Sequence, residues 1–307
     1  MTRLRLRALT VVVAAALSLG VAVAVADLAG FGDVGHRLGS ADPVWLVAVF
    51  AAEFCAYGGY ALAYAALTGV AGMPNVGVGH SARIVTAGFG AFFPAGGFAL
   101  DLQALRMAGA TRAAAREAVL GLGALEYAVL APAAWVAALS LLDTGGVLRS
   151  LTLPWTICVP LGTVAAVVAF LFRERLPRWA RTLVEPLALL VALLRRPRLA
   201  LGAYGGMALY WAGETASLWA GLRVFGVDTT TAVALLGLAT GYALTRRTLP
   251  LAGAGLTEAF LAYSLRWAGV GLAAALLGVV VYRFFNVWVM LPASAAAAPT
   301  VERPVGS

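Results

Sequence analysis

The sequence predicts an all-α, polytopic transmembrane bundle of about seven or eight spans, with two Pro/Gly-broken segments placed in two related halves. Three observations predict it. Of 307 residues, 62% are hydrophobic and only 12% charged, with a mean hydropathy of +0.90, whereas soluble domains run at roughly 45–50% apolar and about 25% charged. Apolar runs of about 20 residues, the length that crosses a bilayer, recur along the chain. These runs are continuous rather than alternating, which favours helices over a barrel, the two backbones that satisfy their own hydrogen bonds in lipid.

Taken in order, the candidate spans are 8–26, 45–70, 119–142, 151–172, 199–221, 229–244 and 270–291. The first has two readings: Arg3, Arg5 and Arg7 before an apolar run, with Ala24-Val25-Ala26 behind it, fit a cleaved signal peptide or an uncleaved first helix. The helix is favoured, because the rest of the chain is already a membrane protein. Two shorter segments, 87–100 and 249–262, carry the clusters Pro94-Ala95-Gly96-Gly97 and Pro250-Leu251-Ala252-Gly253-Ala254-Gly255. Short broken apolar segments of this kind form re-entrant hairpins beside a cavity. The segment 183–194, too short to span and flanked by arginines, is expected to lie at the interface. The chain is read as one membrane domain over 1–292, with halves 1–172 and 199–292 joined by an Arg-rich loop at 173–198 and a disordered Ala/Pro-rich tail over 293–307.

The net charge of +8 contains no lysine; all 22 basic residues are arginine. They cluster at the amino terminus, in the loop 71–117 (Arg83, Arg106, Arg112, Arg116), in 173–198 and at Arg246-Arg247. The intervening loops carry only Arg37, Arg149 and Arg223, so the positive-inside rule puts the amino terminus in the cytoplasm. The arginines between apolar runs argue against nucleic-acid binding. Arginine-only basicity and alanine richness suggest a GC-rich bacterial genome and its plasma (inner) membrane. Cys55 and Cys158 have no CxxC spacing and read as small core residues, and His36 and His80 fall in loops. No metal site and no cofactor is expected.

Leu105-Arg106-Met107-Ala108-Gly109 recurs as Leu265-Arg266-Trp267-Ala268-Gly269, and three alanines follow each copy, at Ala113 to Ala115 and Ala273 to Ala275. Each copy follows a broken segment and precedes an apolar helix, the pattern of an internal repeat. Charges within apolar runs are costly and mark cavities or partners. They are Glu53, Glu126, Glu214, Glu258 and Arg283, with Asp101 closing the first broken segment and Arg83 preceding it. A broken helix also turns free amides and its positive end inward, toward an anionic headgroup.

Pro250 to Glu258, then Gly269 and Arg283, resembles the carboxyl-terminal signature of the lysylphosphatidylglycerol synthase transmembrane (flippase-like) family. Pro94-Ala95-Gly96-Gly97, Leu105, Gly109 and Glu126 are similar to its first motif. Ala252, Ala254 and the pair Glu126-Tyr127 depart from the family pattern. The resemblance implies a lipid-handling membrane module without the soluble aminoacyl-transferase domain of some members, hence no enzyme in itself. It implies binding or translocation of a membrane lipid, an anionic phospholipid or a polyprenyl-linked glycan, with Glu126, Glu258, Arg283, Pro94, Gly96, Gly97, Pro250, Gly253 and Gly255 about the headgroup, to which the charges of the apolar runs add Glu53, Glu214, Asp101 and Arg83. No GxxxxGK[ST] phosphate loop occurs, so an ion gradient, the membrane potential or downhill flow would drive it. The competing readings are an accessory subunit of a separate lipid-modifying or glycan-assembly enzyme, an intramembrane enzyme on lipid-linked substrates, and an ordinary solute transporter. A homo-oligomer or a partner membrane enzyme fits any of them.

Overall fold

The computed structural model describes residues 3–70, 76–89, 97–245 and 250–301, and among them every regular element is helical. The α-helices are α1 (Arg3–Ala29), α2 (Phe31–Gly39), α3 (Val44–Thr68), α4 (Val78–Phe89), α5 (Gly97–Met107), α6 (Arg112–Ser140), α7 (Arg149–Leu171), α8 (Arg178–Leu194), α9 (Pro197–Ala200), α10 (Gly206–Val224), α11 (Thr231–Thr245), α12 (Leu256–Trp267), α13 (Leu272–Arg283) and α14 (Leu291–Val301). Five stretches are long and apolar enough to cross a membrane: Leu9–Ala29, Val44–Thr68, Arg112–Ser140, Arg149–Leu171 and Leu272–Ala297. Of the seven expected spans, 199–221 and 229–244 are not among these five. The first carries Glu214, Thr215 and Ser217 on a glycine-rich helix, and α11 has only 15 residues.

The bundle is built on the crossing of α3 and α10. A Cβ on Gly59 would lie 2.5 Å from the Gly206 carbonyl oxygen, and one on Gly213 would lie 2.6 Å from that of Ala52. Residues 59, 56 and 52 thus meet 206, 210 and 213 in reverse order, so the helices run antiparallel, and their backbones touch because no side chain intervenes. The hairpin of α11 and α12 repeats the device: Gly237 faces Leu265, and Gly241 faces Leu261. The chain therefore turns back after α11. Its return arm ends where Trp267 O accepts from Leu148 N, at the start of α7. That end of the bundle also gathers the start of α3 and the end of α10, through Asp42 N to Val224 O. The turn itself reaches α1 halfway along its length, where Gly255 packs on Leu17 and Val21.

The two copies of the sequence echo form the same turn. Gly109 and Gly269 have φ of +93° and +94°. In each copy the glycine amide donates to the arginine carbonyl three residues back, at 3.1 Å, and the next amide donates to the leucine carbonyl, at 3.0 Å. This helix-ending motif satisfies carbonyls the helix leaves open, and glycine adopts its left-handed backbone without a Cβ clash. One copy closes α5 and the other closes α12.

Several expectations are corrected. The tail from 293 is not disordered as far as Val301: α14 is helical, packs on α4, and Ser294 Oγ donates to Ala87 O at 2.9 Å. Alanine is the strongest helix former, Pro292 sits in the tolerated first turn, and α4 supplies a partner. Cys55 and Cys158 are exposed rather than in the core, since on these helices the outward face is as apolar as the inward one. His36 and His80 lie in α2 and α4, not in loops. Ala24-Val25-Ala26 lies inside α1, in line with the favoured first-helix reading, with Val25 and Ala26 buried against Ala262 and Leu276. Segment 183–194 belongs to α8, which buries Val184, Leu189, Leu190 and Leu193 on one face and exposes Val191 and Leu194, as a helix lying at an interface does. Residues 90–96 and 246–249, and with them Pro94, Gly96, Arg246 and Arg247, lie outside the described residues.

Candidate functional site

The turn between α11 and α12 leads from the sequence pattern into the core. Pro250–Gly253 forms a 3-10 turn, and Gly253 and Gly255 take φ of +67° and +82°. Gly255 caps α12, and its amide donates to Glu258 Oε2 at 2.7 Å. The free amide expected to face an anionic headgroup is thus held by the chain's own carboxylate, half of a capping box. Glu258 Oε1 accepts from Ser18 Oγ of α1 and from Arg283 Nε of α13, each at 3.1 Å. The side chains of Arg283 and Glu258 are 6% and 4% exposed, a buried ion pair joining α1, α12 and α13.

Immediately after Arg283 the helix widens into a π-turn over Phe284–Trp288, a form that concentrates at functional sites. It leaves the Asn286 carbonyl to accept from Tyr57 Oη of α3. The Asn286 amide nitrogen donates to two carboxylates at once, Glu53 Oε2 at 3.0 Å and Glu214 Oε1 at 2.9 Å. Ser217 Oγ donates to the other oxygen of Glu53 at 2.7 Å, and Tyr282 Oη donates to Glu214. Tyr242 Oη shares a 2.8 Å hydrogen bond with Tyr282 Oη. Glu53 and Glu214 sit on the antiparallel pair α3 and α10, whose glycine contacts bring them together.

Glu126 forms the third part. Tyr60 Oη donates to its Oε1 at 2.6 Å, Trp211 Nε1 donates to its backbone carbonyl, and the Tyr60 ring stacks edge-on against Tyr210. Among the described residues the buried charged side chains are Glu53, Asp101, Glu126, Glu214, Glu258 and Arg283. Five acids thus stand against one base, an imbalance that dry apolar packing does not tolerate with every group ionised.

Of the residues singled out in the sequence, Glu53, Glu214, Glu258, Arg283 and Gly255 are drawn into this network, and Glu126 borders it through α3 and α10. Pro250 and Gly253 form the supporting turn. Asp101 is buried on α5, and Gly97 opens that helix. Arg83 is exposed on α4 and does not enter the core. The sequence reading missed Asn286, Tyr282, Tyr242, Tyr57, Tyr60, Ser18 and Ser217. Asn286 had a signal, an amide in an apolar run three residues after an arginine. The tyrosines and serines had none, because such residues are common in apolar helices. Among the described residues no group of three His, Cys, Asp or Glu side chains is placed to hold a metal ion.

No family model, no curated protein and no solved structure matches the chain.

Proposed function

We propose that the chain is an integral membrane protein of a bacterial plasma membrane that binds and translocates lipid headgroups. In this reading six segments span: α1, α3, α6, α7, the run from α9 to α10, and the run from α13 to α14. Two hairpins, α4 with α5 and α11 with α12, enter from opposite faces and turn back. Opposed hairpins between related halves are the architecture of inverted-repeat transporters. The amino terminus and the arginine-rich 173–198 loop would face the cytoplasm.

The observation that carries the reading is the charged network at the hairpin turn, Glu258 with Gly255, Ser18 and Arg283. Ionisable groups midway across a bilayer are retained where a polar path or a partner requires them. Desolvation of the headgroup is the main barrier to moving a lipid between leaflets. A seam of carboxylates, one guanidinium and hydroxyls between helices lowers it, while the acyl chains stay in the bilayer. The resemblance to the flippase-like family points the same way.

The test uses purified protein in liposomes containing a fluorescent phospholipid, with an impermeant reductant added outside. Translocation exposes the inner-leaflet label, and the loss of fluorescence goes beyond the outer-leaflet share. Glu258→Gln and Arg283→Ala, shown to be folded, should restore protection. Protection with the wild-type protein across several headgroups would overturn the proposal. A second reading, an accessory subunit that steadies a partner enzyme, is favoured by one feature. Glu258 already accepts three hydrogen bonds from within the chain, as a structural clasp would. Protected liposomes together with co-purification of a membrane enzyme would support it.

A further inference from the structure

Outside the polar core, α7 stands at the edge of the bundle. Over its most apolar 18 residues none is buried. It packs on α6 and α8, and Trp155 Nε1 donates to Thr240 Oγ1 of α11 at 2.9 Å. Between α7, α6 and α8 runs a groove of about 890 Å³. Small residues deepen it on two walls, Ala128 and Ala131 on α6 and Gly162 and Ala166 on α7. A Cβ on Gly162 would meet nothing within 4 Å. Along α7 the groove is lined from Pro154 to Phe170, about 24 Å at ~1.5 Å per residue. That exceeds the roughly 15 Å depth of one leaflet's hydrocarbon, so a whole acyl chain fits.

One end of the groove is charged. Phe170 lines it, and Arg173 lies over the Phe170 ring, 4.8 Å from its centroid, with Nη1 donating to the Phe170 carbonyl at 3.4 Å. Arg175 follows, with its guanidinium over the Phe172 ring, 5.4 Å from the centroid. The connecting segment 173–198 holds seven arginines against Glu174 and Glu185. Glu174 pairs with Arg173 at 3.6 Å, with the Glu174 side chain largely exposed and that of Arg173 partly so, so the pair yields readily to a stronger anion.

We infer that this groove holds one acyl chain of an anionic phospholipid, whose headgroup rests on Arg173 and Arg175 at its Phe170 end. The length and apolar lining select an acyl chain, and the arginines select a negative headgroup. The site is separate from the Glu258 network. It depends on the chain lying in a bilayer and not on lipid being moved through it.

The test is native mass spectrometry of the full chain released from detergent micelles, titrated with dioleoyl-phosphatidylglycerol or dioleoyl-phosphatidylcholine. The expected result is one retained phosphatidylglycerol, bound at least fivefold more tightly than phosphatidylcholine. Arg173→Gln with Arg175→Gln should weaken phosphatidylglycerol about fivefold per guanidinium and leave phosphatidylcholine unchanged. Gly162→Leu, which fills open space, should weaken both lipids. The arginine variants change side chains that are at least partly exposed, so they keep the test valid if Gly162→Leu fails to fold. Equal binding of the two lipids by the wild-type protein would overturn the inference. So would an unchanged phosphatidylglycerol adduct in folded Gly162→Leu, or a dimer that occupies this face and excludes lipid. Because the readout is binding, a protein that holds phosphatidylglycerol here yet fails in the liposome assay would keep this site and lose the transport reading.

Discussion

Arg283→Met removes the one buried base found among the described residues and offers the sharpest test of how dry that core is. Arg283 Nε lies 3.1 Å from Glu258 Oε1, with both side chains almost wholly buried. Breaking a buried pair by deleting one partner costs about 3–5 kcal/mol, because the remaining charge is left uncompensated. Glu258 would keep its donors from Ser18 Oγ and Gly255 N, which places the expected loss near the lower end, about 3 kcal/mol. Removing both charges in Arg283→Met with Glu258→Leu should cost less, about 1–2 kcal/mol for the buried Gly255 amide left without an acceptor, since the part-buried Ser18 hydroxyl can turn to another one. The double variant is thus expected to be more stable than the single one. Equilibrium unfolding of the purified protein in mixed micelles, titrated with SDS and followed by helical circular dichroism, measures both. A loss below about 1 kcal/mol in Arg283→Met, the range of an exposed pair, would refute the buried-pair reasoning and mean that water reaches the site. A double variant less stable than the single one would refute the charge accounting.

Other expectations follow from the same geometry. Asn286→Leu leaves Glu53 and Glu214 without their shared donor, which should cost about 2–3 kcal/mol; adding Glu214→Gln should recover part of it in the same SDS titration. Gly59→Val forces a side chain against backbone at Gly206 and Tyr210 and should destabilise by about 3 kcal/mol or more. Gly58→Ala, with open space around its Cβ, should be neutral or slightly stabilising, and thermal unfolding separates the two. Gly109→Ala and Gly269→Ala both strain a left-handed turn at about 1–2 kcal/mol. Gly269→Ala should be the worse, since its Cβ would lie 3.0 Å from the Gly146 carbonyl oxygen while Gly109 faces open space; equal melting temperatures would contradict this.

Much of the helical layout was legible in the sequence because each long apolar run forms its own hydrogen bonds and needs no distant partner. The breaks were legible for the same local reason, since Pro250, Gly253 and Gly255 dictate backbone wherever they fall. Partnership was not legible. Ser18 meets Glu258 across 240 residues and Glu53 meets Ser217 across 164, and no local pattern encodes either pairing. Facing was equally hidden. On a chain whose inward and outward surfaces are both apolar, Cys55 and Cys158 gave no periodicity to show that they point outward. Arg83 was grouped with the core for its position before a broken segment, but α4 turns it out.

The break and the buried charge, read separately in the sequence, prove to be one feature. A helix that starts inside a bundle leaves amide groups without acceptors, and a carboxylate at its third position supplies one within a single turn. Glu258 does this for Gly255 with one oxygen, which leaves the other to reach Arg283 and Ser18. The hairpin turn is therefore tied to α1 and α13 through one side chain. Any movement of α12 relative to α13 must break the ion pair, the cap or both. If the hairpin moves during lipid passage, the anion that replaces Glu258 at Arg283 is the natural one to drive it, and a phosphate headgroup has that charge. This predicts that the protection restored by Glu258→Gln is greater for anionic lipids than for zwitterionic ones, an asymmetry that a purely structural clasp would not produce.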